Sequence, residues 1–363
     1  MEGHADGPGG TRSAHAGTAP RVGSTGALLR EEREELEERT LAPGATRASG
    51  AGRRPRPEAP DPERTCFQRD RDRILHAPAF RRLAGKTQVF IFPDDHQRTR
   101  LTHALEVAQV ATGIARSLQL NVALTEAIAV GHDCGHGPAG HASEDAFTPF
   151  IAEGFDHAVW GADVVLAGLN LCVETSDGVR NHSWSRPAPW TPEGEVVSWA
   201  DRIAYVCHDF EDAVSAGLVA EDDLPPIVRE RCGRTRSAQL RAFIHAVVEG
   251  TLASGRVGMT ADFADALAAF RACNYERIYL RPDSVEQASA VRRLLGALVE
   301  HLSAAPGLLP AASAEAAGWP APASEAAVRA AVTYVAGMTD RYALACAQQW
   351  LGWDAGALVI SAT

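Results

Sequence analysis

From Phe67 onward, apolar residues recur at intervals of three and four along long segments separated by short Gly- and Pro-containing breaks, the pattern of helices that bury one face. Strand-like alternation is scarce, so the fold class expected is all-α. The spacing predicts a helix over 98–117, where Leu101, Leu105, Ala108, Ala111, Thr112 and Ala115 form one stripe. A second is expected over 124–133, stopped by the glycines and proline that follow, and further helices over 195–216, 237–253, 261–274, 284–303 and 325–351. Residues 304–324 read as an Ala/Pro-rich connector, which makes 325–363 a C-terminal helical segment packed on the core. Before Phe67 the pattern fades. Residues 1–60 are rich in Gly, Ala, Arg, Glu and Pro and are expected to form a disordered tail, with one transient helix of Glu and Arg over 28–39. The core domain is then 61–303.

Composition narrows the class. With 363 residues, 45% of them hydrophobic, the chain can bury a sizeable core. No stretch approaches the roughly 18 apolar residues of a membrane span, and the N-terminus lacks the charged-then-apolar order of a secretory signal, so a soluble, cytoplasmic protein is expected. Seven cysteines without a CxxC pair fit reduced thiols used as small core residues. A net charge of -11 argues against general nucleic-acid binding. Locally the balance reverses: Arg64, Arg69, Arg71, Arg73, Arg81, Arg82, Lys86, Arg98 and Arg100 face only Asp70, Asp72, Asp94 and Asp95. Lys86 is the sole lysine in a chain that otherwise uses arginine, a sign that a compact ammonium is wanted there.

Metal-type ligands stand on three of the expected helices: His103 in RTRLTHALEV, His132 and Asp133 in VGHDCGHGPAGH, and Asp201 in VVSWADRIAYVCHDFED. His132 and Asp133 close an otherwise apolar helix, where a buried carboxylate needs a cation or donors to compensate it. Imidazoles with carboxylates suit Mn, Fe, Zn or Mg. Asp201, Tyr205, Asp209 and Asp212 follow at intervals of four, four and three, on one helix face.

The order His, His-Asp, Asp on successive helices resembles the HD-domain phosphohydrolases. The segments AFRRLAGKTQVF, RTRLTHALEVAQV, GHDCGHGPAGHASEDAF and ADRIAYVCHDFEDA are similar to the deoxyguanosinetriphosphate triphosphohydrolase-like (dNTPase) family over residues 64–302, with MTDRYAL at 338–344 also of that type. The resemblance implies an HD-domain helical bundle with additional C-terminal helices. It also implies a divalent metal, Mn, Mg or Fe, held by His103, His132, Asp133 and Asp201. Catalytic roles fall on His136, His141 and His157, with Glu144 orienting His141 as general acid. These three, with His103 and His132, are five of the thirteen histidines. Tyr205 and Asp209 would contact the sugar, and Arg202 a phosphate. A triphosphate needs more positive charge than one metal supplies, so Arg100, one turn before His103, is the foremost phosphate residue, followed by Lys86, Arg82 and Arg81. Asn274, Tyr275 and Tyr279 either line the nucleotide pocket or simply end an amphipathic helix. Two departures from the family text, Ala139 for a common Phe and Ser143 for a common Gly, bear on substrate preference.

The reaction implied is release of tripolyphosphate from a dNTP, dGTP or another, to leave the deoxynucleoside. A dNTP effector and a homo-oligomer are further implications. Alternatives are an HD phosphohydrolase acting on nucleoside monophosphates, or a non-catalytic HD protein that binds dNTPs or nucleic acid.

Overall fold

A computed structural model describes residues 26–90, 97–311 and 318–354, with short pieces at 4–5, 11–15 and 23. In chain order its helices are α1 (Arg30–Thr40), α2 (Cys66–His76), α3 (Pro78–Arg82), α4 (Arg100–Ser117), α5 (Val122–Gly131), α6 (His141–Phe147), α7 (His157–Trp160), α8 (Val173–Asn181), α9 (Pro192–Ser215), α10 (Pro226–Cys232), α11 (Arg236–Ser254), α12 (Ala261–Asn274), α13 (Pro282–Ala304), α14 (Glu325–Ala336) and α15 (Asp340–Leu351). Strand pairing among the described residues is confined to His4–Ala5 against Arg12–Ser13 and a single bridge between Thr87 and Thr99. The fold is all-α. No helix among the described residues is long and apolar enough to cross a membrane.

Helices α4, α5 and α9 make the centre, with α2 packed on α5 and α11 on α4 and α9. Small and branched residues such as Ala104, Val107, Ile114, Ile128, Ala200 and Ala204 fill the contact, which lets the three backbones approach closely. The three central helices each follow a short polar residue, Thr99, Asn121 and Thr191. Asn121 Oδ1 accepts from Leu124 N at 3.2 Å to open α5. Thr191 Oγ1 accepts from Gly194 N at 3.1 Å, with Pro192 at the first helical position, so α9 begins three residues before the periodic pattern. The stripe expected on α4 is shifted. Leu105 is 49% exposed, because Arg100 and His103 occupy the inward face that a purely apolar reading assigns elsewhere.

A second apolar cluster joins α13, α14 and α15 to α6 and the segment after it, through Phe147, Phe155, Trp160, Leu298 and Val335. The helix expected over 325–351 is two helices. Gly337–Thr339 interrupts it, and Thr339 caps α15 by accepting from Tyr342 N at 3.4 Å. Of the connector, 306–308 forms a 3-10 turn, Leu309 is buried, and 312–317 lies outside the described residues. So do 355–363 of the C-terminal segment.

The expected tail divides. Most of 1–25 lies outside the described residues, but 30–60 is packed on the core. Glu37 and Glu34 of α1 accept from the backbone N–H groups of Ala48 and Gly50 at 2.7 and 2.8 Å. Thr46 donates from N and Oγ1 to Glu193. The Arg54 guanidinium is buried against Asp70, 2.5 Å away, and against the carbonyl of Asn170. Hydrogen bonds to charged groups, rather than apolar burial, order this stretch, so a composition poor in large side chains misjudges it. All seven cysteines are free and buried.

Candidate active site

The ends of the central helices converge. His103 comes from the first turns of α4, His132 caps the C-terminus of α5 with Asp133 following, and Asp201 stands midway along α9. His103 Nε2 lies 3.0 Å from Asp201 Oδ1, and His132 Nε2 lies 3.5 Å from Asp133 Oδ1 and 3.7 Å from Asp201 Oδ1. His132 Nδ1 donates to the carbonyl of Ala129 at 2.6 Å, which leaves a bare lone pair at Nε2 with no partner, pointed toward two carboxylates. Negative oxygens around an imidazole lone pair in a buried site repel one another unless a cation lies between them. The donor set therefore fits a divalent cation, and the ligand atoms of His103, His132 and Asp133 lie within 4.8 Å of one another. Burial alone would raise the carboxyls of Asp133 and Asp201. Arg100 and the nearby histidines hold the first far below the usual carboxylate range, and His103 and His132 do the same for the second.

Arg100 lies beside this set. Its Nη1 donates to Asp133 Oδ2 at 2.7 Å, while Nε and Nη2 are buried without a partner. Nη2 is aimed at the loop after α5: a Cβ on Gly140 would stand 2.5 Å from it, and Gly140 has φ +62. Ala139, the residue before, also has a positive φ of 58, a conformation that costs a non-glycine residue about 1 to 2 kcal/mol. Ser143 ties the loop from within, accepting from Gly137 N at 3.1 Å and donating to Gly140 O at 2.6 Å.

Four histidines continue the site. His136 and His157 stack with centroids 3.7 Å apart, and His141 meets His136 edge-on at 5.0 Å. Glu144 makes its hydrogen bond with His157 Nδ1, not with His141 as expected, because the start of α7 brings His157 closer than the neighbouring turn of α6. Burial would raise Glu144, but the charge and hydrogen bond of His157 bring it down to about 2. In turn, burial would lower His157, and Glu144 raises it. Burial and the charge of Arg100 hold His136 far below its ordinary value. The same two causes lower His141, although its outer edge is open to solvent. The fourth histidine, His182, is one that sequence reasoning missed. It caps α8 as His132 caps α5, with Nδ1 donating to Val179 O at 2.8 Å. Its Nε2 therefore accepts from His157 Nε2 at 3.2 Å. A histidine closing a helix just before a break, as in GHD, is the signal that VRNHSW shares.

Farther along α9, Tyr205 accepts from Arg271 Nε at 3.1 Å, and Asp209 accepts at Oδ2 from the hydroxyl of Tyr279. Asp209 Oδ1 is buried without a partner, and burial pushes the carboxyl up to about 7. Tyr279 is thus tied to Asp209, whereas Asn274 is buried and donates to Val206 O at 2.8 Å. Arg202 lies 3.8 Å over the ring of Trp184. Asp212 is taken by an ion pair with Arg98. Lys86 departs most from expectation: its ammonium is buried and donates to the carbonyls of His136 and Ala336, behind the loop rather than into the pocket. Arg82 lies near the α14–α15 turn at Gly337, with Nε unpartnered. The remaining basic residues of 64–98 pair with Asp61, Asp72, Glu58, Glu126 and Glu211, apart from Arg81, which donates to the carbonyl of His76.

Residues 100–206 match the HD domain family and 257–349 match the phosphohydrolase-associated domain. The chain is similar to a deoxyguanosinetriphosphate triphosphohydrolase-like protein of Caldanaerobacter subterraneus, 39% identical over 87% of this chain and 94% of the relative. It is similar to proteins of that description in Clostridium perfringens, at 38% over 86% of this chain and 95% of the relative, and in Deinococcus radiodurans, at 35% over 85% and 96%. With the buried His/Asp set at the meeting point of its central helices, this chain belongs to the deoxyguanosinetriphosphate triphosphohydrolase-like family of HD-domain proteins.

Proposed function

We propose that this protein hydrolyses deoxynucleoside triphosphates to the deoxynucleoside and tripolyphosphate, with a divalent cation held by His103, His132, Asp133 and Asp201. The observation that carries the reading is Arg100: a buried guanidinium with two unpartnered nitrogens, Nε and Nη2, beside the carboxylate set and near His136, whose pKa burial and the Arg100 charge hold far below its ordinary value. Those nitrogens suit the oxygens of a polyphosphate, which take charge-assisted hydrogen bonds from a buried guanidinium. A bound divalent cation would supply a nucleophile at neutral pH and stabilise charge on the phosphoryl oxygens.

The side chains do the rest. Arg100 and His136 hold phosphate oxygens. His141, at the open side of the cluster, gives a proton to the departing 5'-oxygen. The negative charge of a bound triphosphate raises its pKa and so supplies the protonated form that Arg100 disfavours in the free protein. Glu144 and His182 hold His157 from its two nitrogens and thereby orient the stack with His136. On α9, the free Oδ1 of Asp209 accepts a sugar hydroxyl, and Tyr205 and Arg202 border the same pocket.

Product analysis tests this. Protein supplied with Mn2+ and each of the four dNTPs, singly and mixed, is expected to release tripolyphosphate and deoxynucleoside. Orthophosphate from nucleoside monophosphates, with no tripolyphosphate, would overturn the reading in favour of a monophosphate phosphohydrolase.

A further inference from the structure

Two ionisable side chains, Lys86 and Asp340, are buried behind the loop, at the joint where the C-terminal helices meet it. Asp340, the first residue of α15, accepts from Thr87 N at 2.9 Å and Thr87 Oγ1 at 2.5 Å through Oδ2, and from Ala139 N at 2.8 Å through Oδ1. Lys86 donates to His136 O, and to Ala336 O at 2.9 Å. The pair together satisfies two amides and two carbonyls drawn from three separate segments, 86–87, 136–139 and 336–340. Among the described residues the Asp340 carboxylate accepts from no donor other than Thr87 and Ala139, and burying it without them is unfavourable. The loop for its part contains Ala139 and Gly140 in consecutive positive-φ conformations. Its Ala139 N–H is buried and would be orphaned without the Asp340 carboxylate.

We infer that Asp340 is a positioning residue for the reaction: through Ala139 and Thr87 it fixes the loop that sets His136, Gly140 and His141 against Arg100, so the phosphohydrolase-associated region is a working part of the active site. The inference rests on the proposed hydrolase reading for its activity arm only. The clamp joins the two matched regions, since the loop lies within 100–206 and Asp340 within 257–349. The cation ligands do not depend on it. They stand on α4, at the end of α5 and on α9, held by the central core.

The test uses the full-length chain with Asp340→Asn, whose amide oxygen keeps one of the two N–H partners, and Asp340→Ala. Three quantities are measured: kcat and KM for a dNTP, affinity for Mn2+ alone by calorimetry, and hydrogen exchange at Ala139 and Gly140. For Asp340→Asn, kcat is expected to fall by about 100-fold with KM within about threefold, since a displacement near 1 Å suffices for such a loss. Mn2+ affinity stays at the wild-type value while exchange at Ala139 rises by about tenfold or more. Loss of Mn2+ affinity in parallel with kcat would show a merely structural residue and overturn the inference, as would wild-type kcat with unchanged exchange. If Asp340→Ala fails to fold, Asp340→Asn decides. If the wild type hydrolyses no dNTP, the hydrolase reading fails by itself, and the exchange at Ala139 still decides whether Asp340 holds the loop.

Discussion

Replacing Arg100 by methionine should make the protein less stable and at the same time bind its cation more tightly. The guanidinium and the Asp133 carboxylate form an ion pair 2.7 Å long with side chains only 2% and 4% exposed. Removing one member leaves a buried, uncompensated carboxylate, at a cost of about 3 to 5 kcal/mol. At roughly 2 °C per kcal/mol for a chain of this size, the melting temperature in chelator should fall by roughly 6 to 10 °C. A divalent cation changes the comparison. It offers Asp133 the positive charge that Arg100 supplied, and in the wild type it must share that carboxylate with the guanidinium and accept its repulsion. If binding recovers even 2 kcal/mol of the loss, linkage makes the variant's Mn2+ affinity about 30-fold higher than wild type. Hydrolysis should nevertheless fall by about 100-fold or more, because the unpartnered guanidinium nitrogens proposed to take the phosphates are gone. Calorimetric titration with Mn2+ and melting curves with and without chelator read both effects. An unchanged melting temperature in chelator together with weaker Mn2+ binding would refute the reasoning.

Gly140→Ala should reproduce part of this without touching a charge. The new Cβ would stand 2.5 Å from Arg100 Nη2 at a φ of +62, so the guanidinium must move; a stability loss of about 1 to 3 kcal/mol with a larger loss of kcat than of KM is expected in denaturation and steady-state assays. Glu144→Gln tests the paired carboxylate and imidazole. Glu144 titrates at about 2 in the fold against the usual 4.5, so its stabilisation is full above about pH 4.5 and is lost as pH falls toward 2. His157 is raised above 6.5, so its share is full below that pH and is lost as pH rises through its folded value. The wild type should exceed the variant by roughly 2 to 3 kcal/mol between pH 5 and 6.5, after allowance for the partial exposure of Glu144, and by less on either side. A difference independent of pH would contradict the pairing.

What the sequence makes legible follows the kind of force involved. Helix α12 falls on its expected span, 261–274, because its inward residues Ala266, Leu267 and Phe270 repeat at helical spacing and its one buried polar residue, Asn274, stands at the very end. On α4 two inward-facing polar residues shift the stripe, and on α9 the Thr191-Pro192 start lies outside the periodic part although its capping chemistry is readable. Segment 30–60 is held by Glu34, Glu37, Glu193 and Asp70 accepting from main chain and arginine, contacts between residues up to 147 positions apart that no local pattern announces. The candidate site shows the same division. The ligand types stand in recognisable motifs, but their convergence depends on how three helices cross. Lys86 illustrates it: its solitary status points to a need for a compact ammonium, and the need turns out to be two carbonyls at a joint with the C-terminal helices. His182 and Asp340 are of the same kind, since each is defined by partners from distant segments.

The central claim is that one cation is held by His103, His132, Asp133 and Asp201 and that turnover depends on it. Titrating wild type and Asp201→Ala with Mn2+ in a calorimeter, with circular dichroism of both and dNTP hydrolysis on the same samples, tests it most directly. The account predicts one Mn2+ per wild-type chain, and a folded variant that has lost both the binding and the release of tripolyphosphate. A folded Asp201→Ala protein that still binds Mn2+ with wild-type affinity and still turns over would contradict it.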